Sequence, residues 1–280
     1  MTDGRDRVGL AWRPELAAAI LTHLDRVDVV EVIADDYADA GSRGLRPLRT
    51  LAAQVPVMLH GVGLGLASTI DVDTRRLEAI ARVVDTVRPE AWSEHLAFVR
   101  AGGHEIGHLA APPRTGATRD GTARNVERAR RIVGAAPLLE NVATLIDPPG
   151  SDVDEPSFIR DTVTAARTGL VLDLHNLHAN AVNFGFDAAD TLPRLPLDRV
   201  GAVHLAGGRW IGRLLDDHRH DVPDAVFVLL EALAERAPRP LTVIIERDGN
   251  FPPFASLLAE VARAREAIAR GRARAASVAA

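Results

Sequence analysis

The chain has no cysteine and no lysine, and carries one tyrosine and three tryptophans in 280 residues. Without cysteine, no disulfide staples the fold, and no thiolate serves as nucleophile or metal ligand. Any bound metal must use His, Asp, Glu or Asn. All 33 basic side chains are arginine. The Gly-rich stretch HGVGLGL at 60–66 therefore lacks the Lys-Ser/Thr of a phosphate loop. Its glycines instead suit close approach of backbone to a pocket. The formal net charge of −5 supplies no basic face for nucleic acid or a membrane surface. No apolar run is long and uncharged enough to span a bilayer. The start, MTDGRDRVGL, is polar with no apolar signal region. Cytoplasm is the expected location.

What is present is a repeat. Eight short runs rich in Val, Ile and Leu occur at 7–12, 27–34, 55–62, 91–98, 136–143, 169–176, 200–207 and 241–248. Most are continuous rather than alternating, as in strands covered on both faces. Helical patterns lie between them. DVDTRRLEAIARVVDTV (71–87) sets Leu77, Ile80, Val83, Val84 and Val87 on one face. TARNVERARRIVG (122–134) ends on a capping Gly134. Strand six is followed by a weaker, Pro-broken helical stretch at 187–193. This β-α order predicts a closed (β/α)8 TIM barrel of the xylose-isomerase-like kind. No G-x-G-x-x-G follows the first strand, which counts against a dinucleotide-binding sheet. Residues 1–266 read as a single domain, and 267–280 as a frayed helix end with a disordered tail.

Barrel chemistry sits at the C-terminal ends of strands. His60, His95, Glu140, Asp173, His204 and Glu246 close six successive runs. Asp35 and Asp36 follow the second. One histidine at a strand end is ordinarily a hydrogen-bonded structural residue. Three imidazoles and three carboxylates aimed at one apolar mouth would be costly without a cation. Six donors exceed one tetrahedral zinc, and the mix suits Fe, Mn, Zn or Co. Glu140 and Glu246 are placed to bridge ions. A second cluster, LLDDHRHDVP (214–223), holds Asp216, Asp217, His218, His220 and Asp221. Asp216 and His218 have the alternation of two ligands on one extended segment, and His220 continues it. Asn176 and His178 alternate beyond Asp173. His175, His220 and Glu94 are placed as supporting residues behind the ligands. His23, His104 and His108 read as surface or loop residues.

HGVGLGL, SEHLAF, PLLENVATL, LDLHNLHANAVNFGF, VHLAGG, DDHRHDVP and IERDGNFP, in that order, resemble the multinuclear non-haem iron oxidative enzymes (the MNIO family). The resemblance runs from VGLAWR to about residue 260. It implies two or three iron ions in mixed Fe(II)/Fe(III) states and O2 as oxidant. The implied substrate is a ribosomally made precursor peptide, rearranged or cleaved at Cys, Asn or Asp. It also implies a small separate partner that captures the leader peptide. Carried over by position, His60, His95, Glu140, Asp173, His204 and Glu246 would hold two irons. Asn176, His178, Asp216 and His218 would hold a third. The family often has D-x-N-N-x-Y where this chain reads Asp173-Leu-His175-Asn176-Leu-His178, adding two imidazoles. The alternative is a metal-dependent hydrolase or isomerase, like the xylose isomerases and trinuclear-zinc endonucleases. The net charge argues against the DNA-directed version, and the lack of lysine against the sugar version.

Overall fold

A computed structural model describes residues 4–279. Eight parallel strands close into a barrel: β1 (Arg7–Ala11), β2 (Val30–Ile33), β3 (Val57–Gly61), β4 (Ala91–His95), β7 (Leu138–Glu140), β8 (Leu170–Asp173), β9 (Val200–Leu205) and β12 (Thr242–Ile245). β1, β3, β8 and β12 are buried along their whole length. Such runs carry no polar face to turn to water. Two antiparallel hairpins that hydropathy did not reveal are inserted after β4 and β9. They are β5 (Phe98–Ala101) with β6 (His104–Ala110), and β10 (Gly208–Trp210) with β11 (Leu214–Asp216).

The chain divides into two compact units, Met1–Val30 with Leu172–Ala280, and Glu31–Val171. Within the second unit, β3 pairs β4 with His60 opposite Ser93, and β4 pairs β7 with His95 opposite Glu140. The helices there are α2 (Arg46–Ala52), α3 (Thr74–Val87), α4 (Gly116–Val133) and α5 (Glu155–Ala166). Asp73, Thr115 and Asp154 cap the starts of α3, α4 and α5 through their side-chain oxygens. Gly134 ends α4 at φ +88°, where a glycine is strain-free.

Within the first unit, β12 pairs β1 and β9, which puts His204 level with Ile244. Its helices are α1 (Ala17–Thr22), α6 (Leu174–Phe184), α7 (Ala188–Thr191), α8 (Asp224–Arg236) and α9 (Phe254–Ala279). The tail departs from expectation: α9 continues unbroken through 267–279. Arg270 and Arg274 pair with Glu231 on α8, and Arg274 also with Glu235. Gly271 lets the helix lie against α8, since a Cβ there would meet Glu231 O at 2.3 Å. No helix among the described residues is long and apolar enough to cross a membrane.

Candidate metal centre

Each unit carries a cluster of imidazoles and carboxylates. In the second unit His95 and Glu140 are the last residues of β4 and β7, and His60 the last but one of β3. His60 Nε2 lies 3.4 Å and His95 Nε2 3.7 Å from Glu140 Oε2. All three residues are buried or nearly so. The hydroxyl of Ser93 donates to Leu59 O at 3.4 Å and lies 2.8 Å from His60 Nδ1. A His60 ring protonated at Nδ1 would donate to Ser93 Oγ. Its Nε2 lone pair is then left facing Glu140, the tautomer a metal requires.

Behind these donors two carboxylates hold the glycine loop. Glu94 Oε2 accepts from Leu64 N, and its Oε1 from His95 N. Asp35 Oδ2 accepts from Val62 N at 2.8 Å. Arg100 donates to the carbonyls of Gly63 and Leu64. A Cβ on Gly63 would stand 2.4 Å from Asp35 Oδ1. The glycines therefore bring backbone against carboxylates. Burial, with the Glu94 charge beside it, raises the Asp35 carboxyl above its ordinary value.

In the first unit Asp173, His204 and Glu246 each offer a donor atom within 4.8 Å of the others. His204 Nδ1 lies 3.3 Å from Glu246 Oε2. Beside them Asp216, at the end of β11, is shared by two imidazoles. His175 Nδ1 lies 2.8 Å from its Oδ1, and His218 Nε2 2.9 Å from its Oδ2. His218 Nδ1 faces Asp248 Oδ2 at 3.2 Å and Glu246 Oε2 at 3.7 Å. Burial disfavours a charged His218, but Glu246 and Asp216 outweigh it and raise its pKa well above the usual imidazole value. Burial likewise opposes ionisation of Asp216, and the His218 and His175 rings more than offset it, holding that carboxyl well below the usual range.

The structure redraws the stretch after Asp173. An extended segment would have set Asn176 and His178 on one side. Instead α6 begins at Leu174, with Asp173 as its N-cap accepting from Asn176 N at 2.7 Å. In a helix, residues two apart point in different directions. His175 is the imidazole that meets Asp216. It is fully buried, and its Nε2 has no hydrogen-bond partner. His178 is partly exposed, its ring centre 6.4 Å from that of His175. Burial lowers its pKa, with the nearby His175 adding to the effect. His220 turns to Asp217 at 2.9 Å, away from Asp216, and Asp217 is also met by Arg209. Ser93 and Asp248 were missed in sequence. Ser93 lies two residues before His95 and so shares its side of β4, a signal alternation carries.

The donor spacings fit metal ions. Two donors about 2.1 Å from one ion, at tetrahedral to trigonal angles, lie about 3.4–3.6 Å apart. The pairs at 3.3, 3.4 and 3.7 Å fall around that range and exceed ordinary hydrogen-bond lengths. The donor set of imidazole and carboxylate matches a first-row transition metal.

A UPF0276 protein of Streptomyces avermitilis is 37% identical over 275 residues, covering 95% of this chain. The chain spans 56% of that relative's length. A UPF0276 protein of Bordetella parapertussis is 35% identical over 95% of this chain and 93% of its own length. Among solved structures, an L-ribulose 3-epimerase superposes with a TM-score of 0.64 at 14% identity, over 98% of each chain. A xylose isomerase domain protein of Planctomyces limnophilus gives 0.62 at 15%, over 95% of this chain and 99% of that one. At such identities the likeness is one of fold, the xylose-isomerase-like TIM barrel. The model of the family "RiPP precursor modification enzyme MbnB/TglH/ChrH" matches residues 7–269, and the chain belongs to that family, the multinuclear non-haem iron oxidative enzymes.

Proposed function

We propose that this protein is a multinuclear iron enzyme that uses O2 to modify a ribosomally synthesised precursor peptide. The observation that carries the reading is the pair of strand-end clusters, His60/His95/Glu140 and Asp173/His204/Glu246, whose donors are spaced for shared ions. Family membership supports a peptide substrate.

His60, His95 and Glu140 would hold one ion, and Asp173, His204 and Glu246 a second. His175 and His218, which meet Asp216 at 2.8 and 2.9 Å, would join it in holding a third ion, in place of Asn176 and His178. Bound iron would supply Lewis acidity and one-electron chemistry with O2.

The chain's own residues do the arranging. Ser93 orients the ring of His60, and Asp216 those of His175 and His218. Glu94, Asp35 and Arg100 fix the loop behind His60. Buried surroundings strengthen each of these polar contacts.

Metal analysis after anaerobic expression with iron, joined to O2 uptake with the cognate precursor peptide, tests this reading. Two or three iron ions per chain and peptide-dependent O2 consumption are expected. A zinc-only protein that consumes no O2 would point to the hydrolase or isomerase alternative instead.

A further inference from the structure

His218 is the one candidate donor held in a strained backbone conformation. Its φ is +51°, in the left-handed region that non-glycine residues avoid. Such strain persists only where surrounding contacts over-determine it. The contacts here converge on one side chain. Arg247 directly follows Glu246 at the end of β12 and is 4% exposed. Its Nη1 donates to Arg219 O at 3.2 Å, and its Nη2 to Asp221 Oδ1 at 2.5 Å. Nη2 also lies 3.9 Å from Glu260 Oε1, which itself accepts from Val222 N at 2.8 Å. One residue further on, Asp248 N donates to His218 O at 2.7 Å. The loop also packs on Gly207, where a Cβ would meet Asp221 O at 2.2 Å and His220 O at 2.4 Å.

We propose that Arg247 is a positioning residue for the loop-borne donors. It ties residues 219–222 to the strand end that carries Glu246, and so keeps His218 turned toward Asp216 and Glu246. This rests on the metal reading above. Arginine suits the task because its planar fork reaches a carbonyl and a carboxylate at once. Lysine offers only a single point of charge.

The test is equilibrium Fe(II) binding under anaerobic conditions, with wild type, Arg247→Gln and Arg247→Lys compared by metal analysis and calorimetry. In Arg247→Gln the strand-borne ions should bind as in wild type. The loop-side ion should bind about tenfold or more weakly, on the scale of losses beyond the ligand shell. Arg247→Lys should recover part of that loss, a rescue that general destabilisation would not produce. Should Arg247→Gln fail to fold, Asp221→Asn carries the same test, since that side chain is 81% exposed. Its expected loss is smaller but confined to the same ion. Wild-type loop-side affinity in every folded variant would overturn this proposal alone. A wild-type protein with no loop-side ion would overturn the three-site metal reading and this proposal together.

Discussion

The His60/His95/Glu140 cluster and the His175/Asp216/His218 cluster use the same chemistry on different supports. The first is carried on the ends of three adjacent barrel strands, where parallel register sets the side chains level: His60 opposite Ser93, His95 opposite Glu140. The second is carried on the first turn of a helix, the end of a hairpin strand, and a loop residue at φ +51°. Strand-borne donors inherit their placement from the hydrogen-bonded core. Loop-borne donors depend on tethers that can be removed singly. Loss of a strand-end ligand should therefore empty the first cluster, and loss of a tether should weaken the second alone.

The largest effect is expected at Glu140. Glu140→Gln removes the carboxylate charge facing both His60 and His95. It should lose at least one iron per chain and lower peptide-dependent O2 uptake about 1,000-fold, as fits loss of metal-borne catalysis worth several kcal/mol. Retained iron and activity would break the claim that the strand-borne set is indivisible.

Next comes the loop-borne set. His218→Ala should lose one iron while the strand-borne ions remain, read by metal analysis. His178→Ala should keep all of them, because the imidazoles that meet Asp216 are those of His175 and His218. The reverse pattern would restore the extended-segment assignment of ligands after Asp173.

A smaller effect should follow Ser93→Ala. Without that hydroxyl the His60 ring loses its orienting partner. Iron affinity at the strand-borne site should fall about 10–100-fold, with binding at the loop-borne site unchanged. Equal weakening at both would show that the clusters are not separable.

The smallest concerns Asp35. Its carboxyl titrates above the ordinary value of 3.8 in the folded protein, through burial and the neighbouring Glu94. The folded state therefore holds the proton more tightly than the unfolded state. That contribution is full below the unfolded value and is lost as pH rises through the folded one. Asp35→Asn keeps an acceptor for Val62 N without the charge. Metal-free Asp35→Asn should lose less thermal stability than wild type as pH rises from about 4 to 7, a difference of a few degrees in Tm. Identical pH profiles would remove Asp35 from the account of the glycine loop.

The same contrast explains what was legible in the sequence. Barrel strands announce themselves as continuous apolar runs, and the residue ending each run could be named: His60, His95, Glu140, Asp173, His204 and Glu246. The hairpin β10–β11 did not announce itself, because Gly208-Arg209-Trp210 is too short and exposed to show a period. After Asp173 the difficulty was where the strand stops. Asp173 reads equally as a strand-end ligand and as a helix cap, and it is both a cluster member and the cap of α6. The run read as extended to 176 stops at Asp173, and those three residues exchange His178 for His175. Arg247 was invisible for another reason. Its partners, Arg219 O, Asp221 and Glu260, are set by tertiary packing, and local pattern carries no trace of them.

The most direct test of the central claim is a crystal structure of the anaerobically iron-loaded protein, with anomalous difference maps collected on either side of the iron edge. Iron peaks are expected among His60, His95 and Glu140, and among Asp173, His204 and Glu246, with a third beside His175, Asp216 and His218. Absence of iron from the two strand-end sets would contradict that claim.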